Sequence, residues 1–332
     1  MSESKPPLVN EDQSPRAAAA AVLALHFGRM RANEAGTLAG SDPEALHDLR
    51  VATRRLRAAF RVFRDVFDEN ALAAANDDAR WVAQTLGTVR DLDVFIEWLR
   101  AHAPTAPVLQ RAFVQELIAR SDAERVERRA GALTALKSER YHGFVQQFKA
   151  FLSALDEPVP SVPPNDEVAV VAELMRVAGV DEATARSWWS SRPQPPSLRS
   201  FAEAAIRRQH KRLRKFGRKF GPDDLESLHA VRIGCKRLRY ACEFFRDLFT
   251  DRLTLPIKQM VELQDALGAM RDAHLQAERV LVDFRRHFAE VPRRMALLRV
   301  LRALRQRERQ EYATFRAAWR EFLKLGIKHV NR

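Results

Sequence analysis

The chain has 332 residues, 46% hydrophobic and 30% charged, a composition that excludes a disordered polypeptide and leaves material for two domains of common size. Fifty-six Lys and Arg face 43 Asp and Glu, a formal charge of +13, so the expected partner is a polyanion: nucleic acid, an anionic membrane surface or a phosphate polymer. The longest apolar run, Ala17 to Leu25, falls far short of the roughly 20 residues of a membrane-spanning helix, and the polar, proline-bearing start lacks the apolar segment of a signal peptide.

Residues 1–15 are expected to be disordered. Beyond them glycine is scarce, at 12 residues, and apolar side chains recur at three- and four-residue spacing without period-two runs, so the predicted fold class is all-α. Helices are predicted at 16–34, 43–69, 72–103, 107–133 and 138–155, with starts marked by Asp42-Pro43, Pro107 and Ser138-Glu139. Residues 156–197 differ: seven of the sixteen prolines fall between Pro158 and Pro196, around one weakly helical stretch at 167–190. This segment reads as a linker holding a small helical insertion, with Trp188-Trp189 as its packing. Helices at 198–219, 224–249, 255–289, 292–307 and 308–325 complete the chain. Cys235 and Cys242 share one of them, roughly 10 Å apart by helical rise. A disulfide spans Cα atoms within about 7 Å, so both cysteines are expected to be free, as suits a reducing cytosol.

The sequence repeats across the linker. Residues 46–57 (LHDLRVATRRLR) align with 228–239 (LHAVRIGCKRLR) at a shift of 182, and Phe63 and Phe67 match Phe245 and Phe249 at the same shift. Residues 86–91 (LGTVRD) align with 267–272 (LGAMRD) at 181, and Tyr141, Phe144, Phe148, Phe151 and Leu152 align with Tyr312, Phe315, Trp319, Phe322 and Leu323 at 171. Three blocks in one order at slowly drifting shifts indicate a duplicated helical module, expected as two halves at 16–155 and 198–328.

On a helical projection Leu49, Thr53, Leu56, Phe60, Phe63 and Phe67 form the stripe that buries. His47, Arg50, Arg54, Arg57, Arg61 and Arg64 form a second stripe about a third of a turn away, with Asp48 the sole acid from 47 to 64. The second copy places His229, Arg232, Lys236 and Arg239 in line, Arg237 beside them, and no acid from 229 to 242. A charged stripe is ordinarily a solvated face, but such faces mix signs. Like charges at i,i+4 repel by a few tenths of a kcal/mol per pair, and an unmixed stripe kept twice points to an anion that relieves it. Helix 198–219 adds further cations, among them Lys211 and Arg214.

The block L-H-x-[LV]-R-[VI]-x-x-[RK]-R-L-R, present twice and followed each time by L-G-x-[VM]-R-D, resembles the CHAD family, the conserved histidine α-helical domain. The resemblance covers roughly 16–155 and 198–325. It implies two four-helix bundles related by pseudo-twofold symmetry, a basic groove where they meet, binding of inorganic polyphosphate there, and association with polyphosphate granules. By position it assigns the groove to His47, Arg50, Arg54, Arg55 and Arg57 with His229, Arg232, Lys236, Arg237 and Arg239. Arg61, Lys211 and Arg214 join these as candidates. Arg90-Asp91 and Arg271-Asp272 are expected to support them, each Asp fixing the fork of a groove arginine, while Arg120, outside both stripes, is the expected bystander. CHAD modules are often fused to a CYTH domain, a triphosphatase with an E-x-E-x-K strand motif. The chain has no such motif.

Two other classes compete. A metal-dependent phosphate or phosphotransfer enzyme would use His47 and His229, with Asp91, Asp93, Asp272 and His274 as neighbours. Arginine around the histidines opposes a cation, and no activating base lies near in sequence. A nucleic-acid binder fits the charge, yet the stripes carry no Asn or Gln for base edges and no aromatic for stacking. The expected protein is therefore a cytoplasmic, non-enzymatic polyphosphate binder without cofactor, metal or membrane span.

Overall fold

In a computed structural model the described residues are 8–40, 43–67, 72–156, 167–191, 196–217 and 221–325. They form an all-α molecule without strands, as the periodicity requires. The first half comprises α1 (Pro15–Ala32), α2 (Glu34–Ala39), α3 (Pro43–Val62), α4 (Ala73–His102), α5 (Val108–Leu136) and α6 (Glu139–Asp156). The insertion forms α7 (Glu167–Ala178) and α8 (Glu182–Ser191). The second half comprises α9 (Leu198–Arg214), α10 (Leu225–Phe244), α11 (Thr254–Arg286) and α12 (Val291–Leu325).

Local chemistry sets the starts. Ser14 accepts from the Ala17 amide ahead of α1, Ser197 from Ser200 ahead of α9, and Asp224 from Ser227 ahead of α10, each satisfying an orphan N–H of a first turn. The repeated helices also stop alike. Both α3 and α10 end one residue before a phenylalanine, Phe63 and Phe245, whose backbone leaves the helical region at φ −97° and −105°, and a short 3-10 turn follows each. The two helices were expected to run on to 69 and 249, of which 68 and 69 lie outside the described residues.

Several other expectations are corrected. Residues 8–14 are not disordered: Val9 is fully buried and the Leu8 amide donates to Asp247 Oδ2 at 3.1 Å, while residues 1–7 lie outside the described residues. A short α2 intervenes where a loop was expected. The stretch expected as helices 292–307 and 308–325 is the single α12, because Arg-Gln-Arg-Glu-Arg-Gln-Glu at 305–311 contains no breaker. In the first half Ser138 separates α5 from α6, its hydroxyl accepting from the Tyr141 amide at 3.3 Å. Of the Trp pair, Trp188 is 49% exposed and Trp189 half-buried, and α7 packs against α8 with Val171 and Ala185 buried.

The core crosses the halves. The larger apolar cluster joins Phe60 and Phe63 of α3 and Phe144 and Phe148 of α6 to Leu238 and Phe244 of α10 and Phe315 and Trp319 of α12. Phe63 lies 5.5 Å from Phe245 and 6.0 Å from Phe201 between ring centroids. A second cluster sits further along the long helices and takes two from each half: Leu92, Phe95 and Leu99 of α4, Val114 and Leu117 of α5, Ala277 and Val280 of α11, and Leu297, Val300 and Leu304 of α12. This interlocking fixes α3 against α10. Gly234 permits the close approach of α9, since a Cβ there would stand 2.8 Å from Leu213 Cδ1.

Candidate functional site

Burial of Leu49, Thr53, Leu56 and Phe60 on α3, and of Leu228, Val231, Cys235 and Leu238 on α10, turns the adjoining cationic faces of the two helices toward one another. Between them lies a cavity of about 390 Å³, closed on one side by Ala83 of α4 and Gln209 and Arg212 of α9. Arg50, Arg54, Arg57, Arg61 and Arg64 line it from α3 and the turn that follows, and Lys236, Arg237 and Tyr240 from α10. No carboxylate lines it.

These cations crowd one another. Burial holds the Arg50 guanidinium below its usual range, and neighbouring Arg54, Arg90 and Arg232 add to the effect. Arg57 is depressed by burial and by Arg80. Arg61, exposed as a residue, has a guanidinium crowded enough by burial, Arg57 and Arg237 to fall to about 10. Lys236 falls furthest, to about 7, through burial and then Arg232, Arg54, Arg50 and Arg271. The Nε donors of Arg50 and Arg57 are buried without an acceptor. Among the described residues, Arg50, Arg54, Arg57, Arg61, Lys236 and Arg237 have no carboxylate within 4 Å, whereas Arg64 pairs with Asp65 at the rim. Arg54 alone is anchored, its Nε donating to Tyr240 Oη at 2.8 Å.

Of the residues singled out from sequence, the structure brings Arg50, Arg54, Arg57, Arg61, Lys236 and Arg237 into this cavity. Arg55 and Arg239 are elsewhere. One residue round from Arg54, Arg55 points to the other side of the interface, where Glu243 takes it at 3.2 Å and takes Arg239 at the same distance. Lys211 is exposed and Arg214 donates to the Leu323 carbonyl at 3.4 Å. From α9 it is Arg212, another of the cations the sequence places on that helix though not one of the chosen candidates, that reaches the cavity, in the company of Gln209.

The histidines occupy two further pockets. His47 lines one of about 320 Å³ with Arg90, Asp93 and Glu97, and His229 lines one of about 240 Å³ with Arg232, Arg271 and His274. Burial and then Arg271, Arg232 and Lys236 lower the His229 pKa. The supporting acids act on one another: burial raises the Asp272 pKa, with Asp91 adding and Arg232 opposing, and both acids act on Arg232. Among the described residues no group of three or more His, Cys, Asp or Glu stands together as a metal site. No described helix is long and apolar enough to cross a membrane. Cys235 and Cys242 are free and buried, and burial pushes the Cys242 thiol up to about 12.

Fold and site together define a helical-bundle protein that holds concentrated positive charge in a cavity between two related helices. The CHAD domain family model matches residues 21–281, and the chain belongs to that family. No curated relative matches it. Among solved structures, the CHAD domain from the plant Ricinus communis is 25% identical, with a TM-score of 0.68 over 95% of each chain. PptA from Streptomyces chartreusis, 17% identical with a TM-score of 0.63 over 93% of this chain and 100% of that one, shares the fold.

Proposed function

We propose that the protein binds inorganic polyphosphate in the cavity between α3 and α10, without turning it over, and associates through it with polyphosphate granules in the cytoplasm. Membership of the CHAD family supports this reading. The observation that carries it is the lining itself: seven arginines and a lysine around about 390 Å³ with no carboxylate, and buried Nε donors on Arg50 and Arg57 without acceptors. A buried donor left unpaired costs about 1–3 kcal/mol, and crowded cations depress each other, so an anion repays both at once. Guanidinium forks suit phosphate oxygens, each fork giving two charge-assisted bonds.

The lining also disfavours nucleic acid. Its one aromatic, Tyr240, is 2% exposed and its hydroxyl is engaged by Arg54, so no face is offered to a base. A duplex is convex and recognised by elements that enter its grooves, whereas a chain of bare phosphates can enter a concavity. The test is competition at fixed salt between long-chain polyphosphate and duplex DNA or RNA. Polyphosphate should displace both nucleic acids. Equal competition would reduce the cavity to a generic polyanion surface, and a preferred nucleic-acid sequence would overturn the proposal.

A further inference from the structure

The pockets holding the two histidines are equivalent by the repeat but no longer alike. Leu46, His47, Val89, Arg90 and Asp93 in the first correspond, at shifts of 182 and 181, to Leu228, His229, Met270, Arg271 and His274 in the second. In the first pocket the cations have internal anions. Asp93 takes Arg125 at 3.3 Å and Asp122 takes Arg100 at 2.7 Å. In the second, His274 replaces Asp93 and no carboxylate lines the wall. Outside the lining, Asp272 and Asp91 act on Arg232, while Glu308 is turned to His274 Nδ1 at 2.8 Å and to Arg305 at 2.8 Å.

What the second pocket has gained is apolar surface. Leu228, Leu267 and Met270 are buried in its floor, while Leu225 and Leu275 are 41% and 45% exposed at its mouth. Arg232, whose buried Nε lacks an acceptor, stands with Arg271 and His229 on the remaining side. The space opens past Leu225, Met270 and His274 into an adjoining cleft of about 690 Å³ between α10, α11 and α12. A bare phosphate chain would leave the leucines facing water, and a neutral apolar ligand would leave the Arg232 Nε donor without an acceptor. Pockets that bury an apolar body and fix it by a few convergent polar groups are the usual form of a small-molecule site.

The geometry points to a second ligand site here, separate from the arginine cavity, for an organic phosphate: a ring-bearing body on Leu228, Leu267 and Met270, and the phosphate on Arg232 and Arg271. Leu225 and Leu275 cover the body at the mouth. The site takes a monoester that inorganic polyphosphate does not resemble at its apolar end, so it works alongside the proposed function and does not require it.

The test is a fluorescence titration of 1-naphthyl phosphate into the full chain, with inorganic phosphate and 1-naphthol as comparators. Naphthyl phosphate should bind at least about tenfold more tightly than inorganic phosphate, since its rings leave water, and more tightly than naphthol, since the cations need its charge. Leu275→Glu, at an exposed position that tolerates charge, should weaken naphthyl phosphate at least about fivefold, as a carboxylate at the mouth repels the phosphate and removes apolar cover. Arg271→Gln should do the same. Long-chain polyphosphate should bind Leu275→Glu as it binds the parent protein. Equal affinity for naphthyl phosphate and inorganic phosphate would overturn the inference. So would loss of naphthyl phosphate in Arg61→Gln with none in Leu275→Glu, which would place the ester in the arginine cavity.

Discussion

Arg54 of α3 and Tyr240 of α10, 186 residues apart, are joined across the halves by a 2.8 Å hydrogen bond from guanidinium Nε to phenol Oη. Tyr240 is buried against Phe244 with Arg239 over its ring at 5.2 Å, so the bond holds one fork of the cavity on a fixed post. Tyr240→Phe should cost about 1 kcal/mol in denaturant unfolding. It should weaken polyphosphate about two- to threefold through lost preorganisation, while the salt dependence of binding stays unchanged because no charge is removed. An altered salt slope would mean that Arg54 is held by something else.

Lys236 makes binding and stability respond to pH. Its folded-state pKa of about 7 lies below the value near 10.4 of an unfolded lysine. Between those values the unfolded chain carries a proton that the folded one does not, so this group makes stability rise with pH. Below about 7 the ammonium is charged in both states and its burial among guanidiniums is a constant penalty. Lys236→Met should therefore melt above the parent at pH 6, and the gap should close toward pH 10.

A bound phosphate chain reverses that depression. Binding at pH 8 should take up as much as about one proton, read from calorimetric enthalpies in buffers of different ionisation enthalpy. Lys236→Met should abolish most of the uptake. Equal uptake by both proteins would assign the proton to another group, such as His229.

Arg55 and Arg239 separate stability from binding. Both converge on Glu243, whose side chain is 19% exposed. Glu243→Gln leaves two guanidiniums at the interface of the halves without their anion and should cost about 3 kcal/mol of stability. The polyphosphate affinity of the folded variant should hold. A large loss of affinity with little loss of stability would return Arg55 and Arg239 to the binding surface.

The all-α class, the duplicated blocks and the buried stripe were legible in the sequence because helical spacing and a long internal repeat are local signals. Rotation about a helix was less so. Arg54 and Arg55 are adjacent and chemically identical, and what divides them is Glu243 from the other half, a partner no local spacing reveals. The histidines share the stripe of the groove arginines, yet His47 lies seven residues before Arg54, roughly 10 Å along the axis, and so in a different pocket. Arg120 reads as a bystander, but it grips buried Asp283 at 2.5 and 2.6 Å. Arg120→Glu would set two carboxylates together and report on folding, so it cannot serve as a binding control. Lys149, exposed on α6 away from the cavity, can.

The proposed absence of turnover is open to direct assay. Tripolyphosphate or ATP incubated with the protein and Mg²⁺ should release no phosphate above background. Turnover lost in His47→Ala or His229→Ala would instead make the flanking pockets catalytic.

The most direct measurement is the affinity of long-chain polyphosphate for Arg61→Glu and Lys149→Glu side by side, at one salt concentration and pH. Both positions are exposed and both substitutions replace a cation by an anion, so net charge changes equally while only Arg61 lines the cavity. Arg61→Glu should weaken binding by about tenfold or more, the loss of a charge-assisted contact together with new repulsion, and should lower the salt slope by about one or more. Lys149→Glu should change affinity less than about twofold. Equal losses in the two variants would mean that overall charge, and not the cavity between α3 and α10, holds the polymer.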